Sequence, residues 1–233
     1  MNRTTSLVII SFIMVALVAF IITMNSPGRI SANETGAIGV MKQLTSSEAI
    51  FQCQGPDGNG LKDYWTYDVS CFYRMYRLDG VSRIEFEPLD VALADAKPAD
   101  YTGGIKPFGD SKVSTIEPWP DAQVTPRYGY LFRAMLTDQD GNLYNQNPVG
   151  ANKILATNSD KYGFVAYPVE YGVSGVRTFI VNEGGTVFGT DCGSDAAKVV
   201  LTWPTELKWV WSPVNKKPPE IIGPGGKFWH IAE

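Results

Sequence analysis

The loop from Gln54 to Asp63 carries the side chains whose spacing most resembles a known chemical site. Asp57, Asn59 and Asp63 are spaced loosely like the oxygen ligands of a calcium-binding loop. The loop lacks the glutamate that closes an EF-hand site, and its Asp-Gly-Asn-Gly sequence is also ordinary turn chemistry. The spacing therefore predicts calcium ligands at these three residues, with a plain turn as the alternative. Residues 138–142 have a similar composition and the same two interpretations.

Groups for acid-base or nucleophilic catalysis are scarce in this sequence. The chain has one histidine, His230, and the nucleophile motif Gly-x-Ser-x-Gly is absent. Glu170 and Asp191 could form a carboxylate pair of the kind that glycosidases use, but solvated acids in turns are the simpler interpretation. The glycine-rich segment at residues 223–226 lacks the lysine-serine pair of a phosphate-binding loop. The sequence therefore predicts a protein that is not an enzyme and needs no cofactor other than calcium.

Three cysteines could supply a disulfide bridge. Cys53, Cys71 and Cys192 do not have the paired spacing of a zinc or haem site. In an oxidising compartment Cys53 and Cys71 are the favoured pair, because the segment between them is short and rich in turn residues. The alternative is that all three are small buried apolar side chains.

Composition and charge limit the classes of partner. The chain has 233 residues, of which 44% are hydrophobic, and a net charge of -4. A basic surface of the kind that binds nucleic acid is therefore not expected. The length fits one membrane segment followed by one domain.

The uncharged run from Leu7 to Met24 predicts a membrane anchor. As a helix it would be about 27 Å long, close to the thickness of a bilayer's hydrocarbon core. A cleaved signal peptide is the alternative. Arg3 favours a cytoplasmic N-terminus, with the bulk of the chain periplasmic or extracellular. The predicted divisions are an anchor at 1–28, a domain at 29–205 and an extended tail at 206–233.

Four apolar runs predict an antiparallel sheet. Val176 to Val181 and Thr186 to Thr190 flank a turn with two glycines at residues 182–185, which is typical of a β-hairpin. Gly163 to Tyr167 and Tyr128 to Leu136 supply two further strands. The sheet is expected to have about four strands, with one face free to pack.

Helical patterns come before the sheet. A capping box from Ser31 to Glu34 and apolar residues at helical spacing predict a helix from Asn33 to Gln52. Tyr64 to Leu78 is expected to form a second, short helix, and Pro88 to Arg127 a long surface connection. The predicted fold class is α+β, with a helix packed on the sheet.

The C-terminal tail combines large aromatic rings with prolines and glycines. Four of the chain's six tryptophans follow Gly193. Proline at this density argues against regular structure, so the tail is predicted to be irregular. Its rings then need another surface. We expect Trp209, Trp211, Phe228 and Trp229 to bind a partner protein.

Taken together, these motifs resemble domain-of-unknown-function family 2950, a family of exported bacterial proteins with shorter, pilin-like relatives. The resemblance covers roughly residues 31 to 205, and its densest block is YPVEYGVSGVRTFIVN. It implies a head like that of type IV pilins and pseudopilins, with a long helix laid on a four-stranded sheet, and a bacterial cell-membrane location. It implies no established activity. The glutamate that pilins carry inside their apolar helix is missing from Leu7 to Met24.

These features predict a non-catalytic accessory or structural subunit of a bacterial envelope assembly. The predicted partners are other membrane-protein subunits, and the lipid bilayer through Leu7 to Met24. A pilin or pseudopilin that binds copies of itself in a filament is one alternative. A periplasmic head that binds calcium or another ligand is the other.

Overall fold

A computed structural model describes residues 27–57, 59–76, 83–98, 123–149, 153–196, 202, 221–223 and 227–232. Its helices are α1 (Pro27–Gln54), α2 (Cys71–Arg74) and α3 (Leu89–Leu93), with a 3-10 turn at Gly193–Asp195. Its strands are β1 (Tyr64–Trp65), β2 (Tyr130–Ala134), β3 (Asn147–Val149), β4 (Ile154–Asn158), β5 (Gly163–Pro168), β6 (Thr178–Asn182), β7 (Phe188–Thr190), β8 (Ile221–Gly223) and β9 (Lys227–Ile231).

The predicted membrane anchor is not supported by this structure. Within the described ranges, no helix combines the length and the apolar composition that a bilayer crossing requires. The run from Leu7 to Met24 lies outside those ranges. The expectation of a single-pass protein of the cell membrane is corrected accordingly.

Helix α1 is confirmed, but it is longer than the sequence indicated. Ser31 and Glu34 lie inside it and therefore do not form the predicted capping box. The predicted apolar stripe is buried, as its helical spacing required: Ala37, Val40, Met41, Leu44 and Phe51.

The main sheet has six strands in the order β2-β5-β6-β7-β9-β8. Its first four members are the four strands that the sequence predicted, and each pairs antiparallel with its neighbour. The predicted hairpin turn is also confirmed: the Gly185 amide donates to the Asn182 carbonyl at 2.8 Å, and Gly185 has φ +70°. Glycine reaches that φ at little cost, which explains its place in the turn.

Both faces of this sheet are covered, whereas the prediction had one face packed by a helix. Phe132, Phe164 and Phe179 point toward α1 and belong to the larger core cluster. Val165 and Ile180 point the opposite way, into a second cluster. Strand β5 is consequently buried along its whole length.

A second sheet, of three strands in the order β1-β4-β3, was not predicted. Tyr64 to Leu78 was expected to be a helix, but it begins with β1, and within its described part, residues 64–76, only Cys71–Arg74 is helical. Two residues are too few for a strand period to show in a sequence. The pilin-like head with a single four-stranded sheet is therefore wrong.

The described segments of the predicted irregular tail form strands, β8 and β9. β9 pairs with β7, and β8 pairs with β9. Trp229 is 1% exposed and packs in the second core cluster with Ile180 and Phe188. It is therefore part of this domain's core and cannot anchor a partner as predicted. Phe228 lies in β9, while Trp209 and Trp211 lie outside the described residues.

One buried carboxylate ties α1 to the edge of the hairpin. Glu34 Oε1 accepts hydrogen bonds from the Val176 and Arg177 amides, both at 3.0 Å. Its Oε2 accepts a charged hydrogen bond from Arg177 Nε at 2.7 Å. Beside it, the Asn33 side chain donates from Nδ2 to the Ser174 carbonyl at 2.8 Å. These bonds fix the register of α1 along the sheet.

Replacing Trp229 should test the position of the last strand. We expect Trp229→Ala to lower the free energy of unfolding by about 3–5 kcal/mol, because it removes a large buried ring. Trp229→Phe should lie between this variant and the wild type. The control is Leu143→Ala, since Leu143 is 59% exposed. Urea denaturation measures the effect, and an unchanged midpoint for Trp229→Ala would show that β9 is not part of the core.

Two substitutions of Glu34 should separate its two roles. Glu34→Gln keeps an oxygen acceptor for the two amides and loses the ion pair with half-exposed Arg177, so the cost should be below about 1 kcal/mol. Glu34→Ala leaves both amides without their acceptor and should cost about 1–3 kcal/mol. Urea denaturation would compare both with Glu85→Ala, an exposed control. Equal losses of unfolding free energy in the Gln and Ala variants would contradict the role of the hydrogen bonds from the two backbone amides.

Candidate functional site

A cleft of about 410 Å³ lies at the seam between the two sheets. The end of β2 and the residues after it form one wall, and the residues that follow β1 form another. A third wall comes after α3. The lining residues are Thr66, Tyr67, Lys97, Pro98, Arg133, Ala134, Met135, Leu136 and Asn145.

Two buried aspartates hold the walls in place. Asp95 Oδ2 accepts hydrogen bonds from the Val69 and Ser70 amides, both at 2.8 Å. Its Oδ1 accepts one from the Lys97 amide at 2.9 Å. The segment after β1 and the segment after α3 are thus joined through one carboxylate. Because these bonds form within the protein and need no ligand, they hold two walls of the cleft in place before a ligand binds. The cleft is in this sense preformed.

Asp68 braces the same segment from behind. Its Oδ1 accepts from the Trp65 indole at 3.1 Å, and its Oδ2 accepts from the Ser70 hydroxyl at 2.7 Å. The Arg74 guanidinium, 1% exposed, lies 3.5 Å from Asp68 Oδ2. Its charge partly compensates the two buried acids, which lowers the cost of keeping them out of water.

The pKa of Asp95 is raised to about 7, chiefly by burial and also by the nearby Asp68 carboxylate, while hydrogen bonds from three backbone amides lower it. A carboxyl with this pKa is partly protonated near neutral pH. The negative charge behind the cleft is therefore smaller than two aspartates would suggest.

The polar groups that line the cleft are mostly hydrogen-bond donors. Lys97 is exposed and Arg133 is half-buried, and within the described residues neither forms a salt bridge. The Thr66 hydroxyl, which has one hydrogen to donate, lies 2.8 Å from Asn145 Oδ1 and 3.1 Å from the Ala156 carbonyl. Among the described residues, the Asn145 NH₂ group has no acceptor and is left as a donor. The described lining contains no carboxylate, histidine or cysteine.

Sequence reasoning did not find these residues. They come from four separate segments, and none of them belongs to a catalytic or ligand-binding motif. Arg133 offered one signal, since it is a charged residue within the apolar strand β2. The period of a strand places it on one face, but it cannot show which segment lies across from it.

The predicted calcium ligands are partly brought together. Asn59 donates to Asp63 Oδ2 at 2.8 Å, and the Asn147 amide and the Thr157 hydroxyl donate to the same oxygen. Asp57 and Asp63 are both buried. Among the described residues, no group of three or more acids, histidines or cysteines could hold a metal ion. Calcium binding here stays a prediction.

The similar loop at residues 138–142 is closed by a lysine. Asp138 Oδ1 accepts from the Asp140 and Asn142 amides, each at 2.9 Å. Lys161 Nζ donates to Asp138 Oδ2 at 2.8 Å and supplies the positive charge that a cation would bring. This loop is an aspartate turn with an internal counter-ion.

The remaining candidates are dispersed. Cys53 is exposed, Cys71 is buried, and both are free thiols, so the predicted bridge is not formed. Asp191, which was considered as a carboxylate pair with Glu170, accepts a hydrogen bond from the Tyr171 hydroxyl at 2.9 Å. His230 is exposed on β9. These groups do not meet in a shared site.

The raised pKa of Asp95 predicts a pH dependence. A carboxyl with a raised folded-state pKa stabilises the protein below its unfolded pKa, near 4, and that contribution is lost as pH rises through about 7. Asp95→Asn cannot titrate, so its stability relative to the wild type should rise by about 2 kcal/mol between about pH 5 and pH 8.

Urea denaturation at several pH values would measure this difference. Asp160→Asn, at an exposed position, is the control and should show no such trend. A constant difference between Asp95→Asn and the wild type across this range would mean that Asp95 is ionised throughout.

Comparison with known proteins finds a family match for somewhat less than half of the chain. Residues 95–207 match the family described as protein of unknown function, DUF2950, which confirms the family part of the resemblance. The match includes β2 to β7 and the cleft residues Lys97, Arg133 and Asn145, but not α1 or β9. No curated protein and no solved structure matches the chain.

Proposed function

We propose that this protein is a non-catalytic binding protein whose ligand lies in the cleft between the two sheets. The observation that carries the proposal is a preformed cleft of about 410 Å³. This volume lies within the range of small-molecule sites in proteins. Such sites combine apolar walls with a few polar groups that orient the ligand, and Met135, Leu136 and Asn145 fit that pattern.

The walls support binding because they do not have to be organised by the ligand. Asp95 joins the segments on two sides of the cleft by accepting hydrogen bonds from three backbone amides. Ala134 and Met135 are buried and held against β5. A ligand that enters a site of fixed shape loses little free energy to ordering the protein.

The lining residues favour binding over catalysis. General acid-base catalysis needs a group whose pKa lies near the working pH and which reaches the substrate. Asp95 has such a pKa, but both its oxygens accept bonds from backbone amides and it is 1% exposed. The lining groups Lys97, Arg133 and Asn145 can orient a ligand without changing it.

A panel of small aromatic compounds would test this proposal on the full chain. The panel contains phenylpropionate, phenylpropionamide, phenylpropylamine and phenyl phosphate. In spectra of isotope-labelled protein, we expect at least one compound to shift the amide signals of Thr66, Lys97 and Leu136. Mass spectrometry should recover that compound unchanged.

A matched pair of variants locates the binding. Leu136→Trp places a large ring at the mouth of the cleft and should abolish the shifts. Leu155→Trp is the control, because Leu155 is similarly exposed but does not line the cleft. Absence of shifts with every compound, or shifts that survive Leu136→Trp, would refute the proposal.

The accessory-subunit role is a second candidate, supported by apolar side chains near the cleft mouth. Tyr67 is 38% exposed, Leu136 45% and Leu143 59%. A photo-reactive residue at position 143 should cross-link one partner protein in cells, and the same residue at position 160 should not. Absence of a specific cross-link would count against this role. The filament alternative stays a prediction.

A further inference from the structure

Building on the proposed binding function, we infer that the ligand is a small organic anion, either a carboxylate or a phosphate ester. Lys97 and Arg133 would hold its charged group. Its apolar body would lie against Pro98, Met135 and Leu136.

The balance of charge inside the cleft supports an anion. The described lining contains two cations and no carboxylate, although acidic residues outnumber basic ones in the whole chain, 24 to 20. Neither Lys97 nor Arg133 is neutralised by a salt bridge within the described residues. A positive cleft on an acidic protein attracts anions selectively.

The acids behind the cleft do not cancel this charge. Asp95 directs its oxygens to the amides of Val69, Ser70 and Lys97. Asp68 directs its oxygens to Trp65, Ser70 and Cys71, with Arg74 nearby. Among the described residues, the side chains of Arg133 and Lys97 form no salt bridge, so their donors are available to a ligand.

The donor geometry suits oxygen acceptors. Arg133 presents a planar guanidinium that can bind two oxygens of a carboxylate or a phosphate at once. It is half-buried on β2, and a charge-assisted hydrogen bond is stronger at a partly desolvated position than in open water. Asn145 adds a neutral NH₂ donor that its bond with Thr66 orients.

The size of the cleft limits the ligand. About 410 Å³ accommodates a small molecule and is too small for a folded partner. Apolar residues that line the cleft beside the two cations, Pro98, Met135 and Leu136, favour an amphipathic compound over a bare inorganic ion.

The test compares compounds that differ in charge but share one shape. Isothermal titration would measure the affinity of the full chain for phenylpropionate, phenylpropionamide and phenylpropylamine. We expect the acid to bind at least about tenfold more tightly than the amide, and the amine to bind weakest. Phenyl phosphate separates the two anion classes: tighter binding than the acid indicates a phosphate ester, and weaker binding a carboxylate.

Charge variants assign the effect to the two cations. Arg133→Gln and Lys97→Gln should each weaken binding of phenylpropionate about tenfold and leave the amide unchanged. Arg133→Lys should keep the preference for the acid. Lys42→Gln is the control, since Lys42 is an exposed lysine on α1. Thermal unfolding would verify that each variant is folded.

The outcomes separate this inference from the proposed function. If the amide binds in the cleft as tightly as the acid, or if both glutamine variants bind the acid normally, the anion inference is wrong and the binding function stands. If no compound shifts the cleft amides, both are wrong.

Discussion

The hydrogen bonds of Glu34 set the position of the longest helix, and the rest of the fold depends on that position. The carboxylate accepts hydrogen bonds from two backbone amides and from the Arg177 guanidinium, just before β6 begins. Because Glu34 is only 6% exposed, its charge requires all these donors. The bonds hold α1 across the sheet, so that its apolar stripe meets Phe164 and Phe179 and closes the larger core.

The same principle, a buried carboxylate that collects backbone amides, shapes the cleft. Asp95 fixes the two loops beside β2 by accepting hydrogen bonds from their backbone amides, as Glu34 fixes α1. In both places the hydrogen bonds of one buried carboxyl group fix a segment that belongs to no strand. The cleft exists because the segments after β1 and α3 are held near the end of β2 without filling the space in front of Arg133.

Much of the main sheet could be predicted, because its strands are short apolar runs, alternating in β2 and continuous in β5 and β6, and its hairpin has glycines where the turn needs them. The second sheet could not, since β1 has two residues and β3 three. The prediction of an irregular tail is wrong at β9. Prolines are frequent in the tail as a whole, but β9, which includes Trp229, contains none. Of the candidate site, the sequence indicates only one unusual feature, the charged residue Arg133 within an apolar strand.

The sequence by itself determined the buried face of α1, the positions of four strands and the turn at Gly185. These follow from local spacing, because side chains three or four apart on a helix, or two apart on a strand, share a face whatever lies opposite. Only the tertiary structure decided that Trp229 belongs to the core and that Lys97, Arg133 and Asn145 line one cleft. Those contacts join segments far apart in the chain, and they depend on how whole elements pack, which no local pattern encodes.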